Sequence, residues 1–265
     1  TGVTANIEGN TVYNIINTNT TGFSNQANGI TIKGGVCTVQ RNRVYNINAV
    51  GTGTGVNANG VYGIYVNATS PLGQVVKNNQ ISLIPNVTNE SNIFGIVDGS
   101  TGAFTNSYLN NSVYVGGTAS GNSNSYAMLV GAPLSYTNMN VINNIFYNER
   151  SGGSALHLSV GAYYTPTVLK ASTFGYNLMV SPSANTYMEM PAGTAMNAAA
   201  VNAMYISNSS NSNWMEPSSN LPAASLFNNV ATGNLGLVAT NAASWYSNGK
   251  GLPMLSVTND FNNTS

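Results

Sequence analysis

The stretch Ile7-Glu8-Gly9-Asn10-Thr11-Val12 has five successors in the chain. They are Val39-Gln40-Arg41-Asn42-Arg43-Val44, Val76-Lys77-Asn78-Asn79-Gln80-Ile81, Tyr108-Leu109-Asn110-Asn111-Ser112-Val113, Val141-Ile142-Asn143-Asn144-Ile145-Phe146 and Phe174-Gly175-Tyr176-Asn177-Leu178-Met179. Each reads apolar-x-x-Asn-x-apolar, and the Asn residues are 32, 37, 32, 33 and 33 positions apart. Tyr13, Tyr45, Tyr114 and Tyr147 each stand three residues after their Asn. A second element recurs between these anchors as Gly29-Ile30-Thr31-Ile32, Gly63-Ile64-Tyr65-Val66, Gly95-Ile96-Val97, Ala127-Met128-Leu129-Val130 and Ala155-Leu156-His157-Leu158. Two interleaved periods near 32 residues mark a repeat architecture.

The segments are short, rich in Val, Ile and Tyr, and broken by Gly and Asn, which disfavours helical repeats. A propeller blade is longer and needs four strands. The pattern predicts an all-β fold, a right-handed parallel β-helix of about five to six coils, each strand pairing with its equivalent one coil along at about 4.8 Å. Ile7, Val39, Val76, Tyr108, Val141 and Phe174 then form one inward column. Asn tolerates left-handed turns and bonds neighbouring backbone, so Asn10, Asn42, Asn79, Asn111, Asn144 and Asn177 are expected to stack as a structural amide ladder. Coils are assigned to residues 1–185. Residues 186–265 are assigned to an irregular C-terminal coil or cap, with a short helix within Thr194 to Tyr205 started by Gly193-Thr194. Short strands are expected around Ser225-Leu226-Phe227 and Leu235 to Val238. A cap is expected because solenoids need atypical end repeats to cover the core.

Composition narrows the function. The 265 residues include 44 Asn and 28 Gly, only 5% are charged, seven basic and seven acidic, and the net charge is zero. No basic surface is available for nucleic acid. No apolar run approaches the roughly 20 residues of a membrane span. The single cysteine, Cys37, excludes an internal disulfide framework and a cysteine-built metal site. The chain starts at Thr1 and is read as a processed or excised piece of something longer.

The tail carries a further pattern: Ala224-Ser225-Leu226-Phe227-Asn228-Asn229-Val230-Ala231-Thr232-Gly233-Asn234-Leu235-Gly236-Leu237, then Gly249-Lys250-Gly251-Leu252-Pro253, then Val257-Thr258-Asn259-Asp260-Phe261-Asn262-Asn263. It resembles the closing segment of β-helix modules in large surface and secreted proteins of Bacteroidota, exported by type IX secretion. The coil phrases Asn10 to Ile15 and Asn42 to Ile47 are also similar to that family. The resemblance implies an extracellular or cell-surface scaffold or adhesin. Asn234, Gly236, Asn259 and Asn262 stand where the family commonly has Asp or His, and a neutral amide is a weak ligand for calcium. No cofactor or metal is expected.

Parallel β-helices also house polysaccharide lyases and glycosidases, which need paired carboxylates, or carboxylates with calcium and a base. The seven acids, Glu8, Glu90, Asp98, Glu149, Glu189, Glu216 and Asp260, include no adjacent pair. The repeat allows Glu8, Lys33, Arg41, Arg43, Lys77 and Asp98 to gather on neighbouring coils, but the simpler reading is a set of solvated charges. His157, between two leucines, is expected to face solvent or a neighbouring loop. Cys37 is expected to be a buried or half-buried side chain. Tyr136, Tyr163 and Tyr164 are candidates for stacking on sugar rings. The sequence thus points to a non-enzymatic structural or adhesive module, whose partners are neighbouring modules, further copies of itself, or surface glycans. The alternatives are a polysaccharide-binding or polysaccharide-cleaving β-helix and a phage tail-spike module.

Overall fold

A computed structural model of the chain describes residues 4–19, 25–50, 59–69, 72–84, 91–100, 104–131, 138–162, 173–182, 186–189, 193–207, 221–242, 244, 257 and 260–262. Three parallel sheets wind into a β-helix. Sheet A stacks β1 (Thr4–Glu8), β4 (Val36–Gln40), β7 (Val75–Lys77), β10 (Thr105–Leu109), β14 (Asn138–Ile142) and β18 (Thr173–Gly175). Sheet B stacks β2 (Thr11–Asn17), β5 (Arg43–Ala49), β8 (Gln80–Leu83), β11 (Ser112–Val115), β15 (Ile145–Asn148) and β19 (Leu178–Val180). Sheet C stacks β3 (Asn25–Ile32), β6 (Asn59–Val66), β9 (Asn92–Asp98), β13 (Ser125–Val130), β17 (His157–Ala162) and β20 (Met188–Glu189).

The register follows the sequence period. Ile7, Val39, Val76, Tyr108, Val141 and Phe174 are cross-strand partners in succession along sheet A. Val12, Val44, Ile81, Val113, Phe146 and Met179 form the equivalent column of sheet B. In sheet C the column is Ile30, Ile64, Ile96, Met128, Val160 and Met188. All three columns meet in one apolar core. The fifth member of the second sequence element is therefore Ser159-Val160-Gly161-Ala162, not Ala155-Leu156-His157-Leu158. Met128 pairs with Val160, 32 residues on, which restores the period. The leucines misled because Leu158 pairs with Tyr126 and belongs to a small cluster apart from the main core.

The core closes differently at its two ends. After β20 the chain reverses into β21 (Ala195–Met196), which pairs antiparallel with β20. Helix α1 (Ala198–Ser207) follows, and its Val201 is fully buried in the core. The helix begins later than Gly193-Thr194 suggests, because Asn197 supplies the cap: its Oδ1 accepts from Ala200 N at 2.9 Å. An Asx side chain at this position satisfies an amide that the first turn leaves open. At the other end Ile7, Val12 and Ile15 are only half-buried. Tyr13 and Ile16 are 51% and 58% exposed.

The rest of the described tail does not lie across the end of the core. Helix α2 (Ala223–Leu226), strand β22 (Phe227–Asn229), a 3-10 turn at Val230–Thr232 and strand β23 (Asn234–Leu237) pack on the outer face of sheet B. β22 and β23 are antiparallel, with Phe227 opposite Leu237. Leu221, Leu226, Phe227 and Leu235 form a second small core with Tyr114, Ile145, Tyr147 and Leu178. The docking is pinned by Ser82 Oγ donating to Val230 O at 2.5 Å and by Leu235 N donating to Gln80 Oε1 at 3.2 Å. Farther back, the Arg43 guanidinium carbon lies 5.3 Å from the Phe261 ring centroid. Among the described residues no helix is long and apolar enough to cross a membrane.

In three coils Gly29, Gly63 and Gly95 stand just before the sheet C column, where there is no room for a side chain. A Cβ on Gly63 would stand 2.3 Å from Ile81 Cγ2 and 2.5 Å from Gly95 O. Overpacking of this kind typically costs about 1–3 kcal/mol. Gly63→Ala is expected to lower the denaturant midpoint accordingly, measured by circular dichroism; an unchanged midpoint would show slack between the coils.

Candidate functional site

The strongest constellation is the Asn row between sheets A and B. Each residue just before a ladder Asn adopts a left-handed backbone: Gly9, Arg41, Asn78, Asn110, Asn143 and Tyr176 all have φ between 54° and 69°. The left-handed turn thus belongs to the preceding residue and not to the ladder Asn, whose amide has a different task. Asn42 N and Nδ2 both donate to Asn79 Oδ1 at 3.0 Å, and Asn79 repeats this on Asn111 at 3.1 and 2.9 Å. Asn111 bonds Asn144 at 2.9 and 3.0 Å, and Asn144 bonds Asn177 at 2.9 Å through both groups. Asn10 makes the same pair of 3.0 Å bonds to Asn42.

From Asn42 onward each Nδ2 also reaches back to a strand carbonyl of the preceding coil, as from Asn42 to Ile7 O and from Asn111 to Val76 O, whereas Asn10 Nδ2 donates to Glu8 O in its own coil. Asn42, Asn79, Asn111, Asn144 and Asn177 are fully buried, whereas Asn10 is exposed. The other two corners use shorter versions. Cys37 N donates to Gln74 Oε1 and Gln74 N to Asn106 Oδ1, both at 2.8 Å. Asn124 N donates to Asn92 Oδ1, and Leu156 N to Asn124 Oδ1.

Tyr136, Tyr163 and Tyr164 lie outside the described residues. The proposed charge cluster is only partly assembled. Glu8 accepts from Asn6 and from Gln40 Nε2 and forms an ion pair with Arg41. Asp98 sits elsewhere, at the end of β9 in sheet C, fully buried and accepting from Ser100 N and Asn106 Nδ2. Glu149 accepts from the Tyr114 hydroxyl, and burial together with that carboxylate pushes the Tyr114 phenol far up. Glu189 accepts from the Tyr126 hydroxyl and from Gly193 N. These described acids are spent on different partners. Among the described residues no three His, Cys, Asp or Glu side chains lie close enough to hold a metal ion. Cys37 is buried, which raises its thiol pKa and disfavours the thiolate.

One polar cluster escaped sequence reasoning. His157 does not face solvent: it is buried, in register with Ser125 and, through Ser125, with the core residue Ile93. His157 Nε2 lies 2.9 Å from Gly152 O, which can only accept, so the ring proton is on Nε2. Nδ1 then accepts from the Ser125 hydroxyl at 2.8 Å. Asn148 Nδ2 donates to Ser125 O, Ser125 Oγ and Leu158 O. Asn148 Oδ1 accepts from the amide of Arg150, whose fully buried guanidinium donates to Ser91 O. Desolvation draws Arg150 down to about 10. The one available signal was spacing: Ser125 and His157 are 32 residues apart, one period of the repeat. A hydroxyl beside a histidine suggests nucleophilic chemistry, but Ser125 is completely enclosed, and its bonds tie sheet B to sheet C.

Burial, reinforced by the charge of Arg150, lowers the pKa of His157 from 6.5. A histidine whose folded pKa is depressed takes up its proton more readily when unfolded, so stability is complete above 6.5 and is lost as pH falls through the window below it. His157→Gln is expected to flatten that acid-side loss by up to one proton, about 1.4 kcal/mol per pH unit, read from denaturant midpoints across pH. The ladder predicts a positional contrast. Asn111→Ala leaves several buried groups without partners, each worth about 1–3 kcal/mol, while Asn10→Ala removes one exposed end. Thermal unfolding should show the first variant to be far less stable than the second.

Comparison with protein-family models, with curated proteins and with solved structures finds no match to this chain.

Proposed function

We propose that this chain is a non-enzymatic structural or adhesive β-helix module of an extracellular or cell-surface protein, and that it works by end-on association at its first coil. The observation that carries this reading is the unequal finish of its two ends. The core columns are sealed by Val201 at one end. At the other end Ile7, Val12 and Ile15 are half-buried, and Tyr13, Ile16 and Asn10 are exposed. Among the described residues no strand pairs with the outer edges of β1 and β2, and an open edge with an apolar surround is a template for a further strand. The partner is a neighbouring module or a second copy. The near absence of charge supports close contact, because little repulsion opposes it. The spread of the described acids onto separate structural bonds supports a geometric role over a catalytic one.

The test is light scattering across a concentration series, with negative-stain imaging. The wild-type chain is expected to associate with increasing concentration. Tyr13→Lys and Ile16→Lys, at exposed positions where folding tolerates charge, are expected to hold it monomeric. Wild-type protein that stays monomeric at every concentration, or association unaffected by both lysines, would overturn self-association as the mode of action.

A further inference from the structure

The outward row of sheet B carries Tyr13, Tyr45, Ser82, Tyr114, Tyr147 and Val180 in register. Tyr13 and Tyr45 stack with centroids 5.1 Å apart and planes 4° from parallel. Tyr114 and Tyr147 lie 5.6 Å apart. Ser82 interrupts this row of rings. Since rungs repeat at about 4.8 Å, replacing one tyrosine by serine leaves the thickness of one planar ring beside Tyr45.

The tail turn enters part of this space, where Val230 O accepts from Ser82 Oγ, and beside that contact a cavity of about 190 Å³ remains, lined by Tyr45, Asn46, Ser82, Ile84, Val230 and Ala231. The tail roofs it with a fixed turn. Ser82 Oγ holds Val230 O at 2.5 Å, and Asn229 Oδ1 caps the turn through Ala231 N and Thr232 N at 3.0 and 3.3 Å. An apolar cavity of about 150 Å³ is enough to hold benzene.

We infer that this slot binds a neutral aromatic ring of phenol size against Tyr45, beside the Val230 carbonyl that meets Ser82. None of the six lining side chains is charged, so an ionised ligand would be desolvated without a counter-charge. The side-chain polar groups that line it are already engaged. The Ser82 hydroxyl donates to Val230 O, Asn46 Nδ2 donates to Asn14 Oδ1, and Asn46 Oδ1 accepts from Asn48 Nδ2 at 3.0 Å. A pyranose would bring several hydroxyls that need partners, whereas a phenol brings one. The ring is carried either by a free small aromatic or by the side chain of a tyrosine-containing peptide. This site lies on the side of the solenoid, and its occupancy does not depend on association at the first coil.

Saturation-transfer NMR and titration of the full chain with p-cresol test the assignment. A capped Gly-Tyr-Gly peptide and methyl α-glucoside serve as parallel probes. Wild-type protein is expected to bind p-cresol and not the glucoside. Ser82→Tyr, which fills the slot from within, is expected to abolish binding. Tyr45→Leu, which removes the stacking face, should weaken binding by up to about tenfold. Peptide binding as tight as that of p-cresol identifies a side chain as the source of the ring; binding of p-cresol alone identifies a free aromatic. If Ser82→Tyr loses its circular-dichroism signature, Tyr45→Leu decides. The assignment is overturned if wild-type protein does not bind p-cresol up to its solubility limit. It is equally overturned if folded Ser82→Tyr or Tyr45→Leu binds as well as wild type, or if the glucoside binds as tightly as p-cresol.

Discussion

The structure depends on how a parallel β-helix satisfies its backbone at the corners. Within each face the strands bond to their neighbours one coil away, but at a corner the chain turns and buried N–H and C=O groups lose those partners. An unmade buried bond costs about 1–3 kcal/mol. Here a left-handed residue makes the turn, and the amide of the next residue replaces the missing ladder. Asparagine suits the task because one side chain both accepts and donates. Asn79 Oδ1 takes two donors from Asn42 in one neighbouring coil while its Nδ2 returns to Val39 O of that coil. The side chain is short enough to remain beneath the turn. Gln74 and Asn106 do the same at a second corner, and Asn92 and Asn124 at a third.

This solution explains a chain with many amides and few charges. A charged group at a buried corner carries a desolvation cost of several kcal/mol, and an amide does not. The buried charges among the described residues are held by hydrogen bonds: Asp98 by Ser100 and Asn106, Arg150 by the Ser91 carbonyl, and Glu189 by the Tyr126 hydroxyl and Gly193 N. The outer faces follow from the same shortage of charge. Sheet B hides Tyr114 and Tyr147 under the tail. On sheet C, Tyr62, Phe94, Tyr126 and Leu158 form a second buried row. Several strands are therefore buried on both sides; β13, Ser-Tyr-Ala-Met-Leu-Val, has no exposed residue.

That double burial decides what the sequence could disclose. The period and the Asn positions were legible because each coil must repeat the same corner, so the columns of Val39 and Val44 emerge from spacing alone. Facing was not legible, because alternation of apolar and polar residues identifies an outward side only where that side meets water. Leu156-His157-Leu158 looks like a strand with an outward histidine. In the fold Leu158 packs among aromatic rings outside the main core while His157 is drawn in beside Ser125. The docking surface of the later tail was hidden for a related reason. The helix that covers the core and the two short strands follow the pattern, but Leu226, Phe227 and Leu235 announce burial without saying against which surface, and they pack on the aromatic row of sheet B.

Stacking also makes the molecule directional. In a solenoid each coil contacts only its neighbours, so stability is close to a sum of coil and interface contributions. A middle coil holds two amide bonds and three apolar columns on each side, while the first coil has them on one side only. The gradient from exposed Asn10 to fully buried Asn42 is the visible form of this asymmetry. The tail partly offsets it, because the Val230–Thr232 turn and Phe227 reach back over coils that would otherwise depend only on their neighbours. Among the described residues, lateral bracing of the middle coils and the covering of one end by α1 set the order in which parts can yield, and the first coil, held from one side, is the least secured.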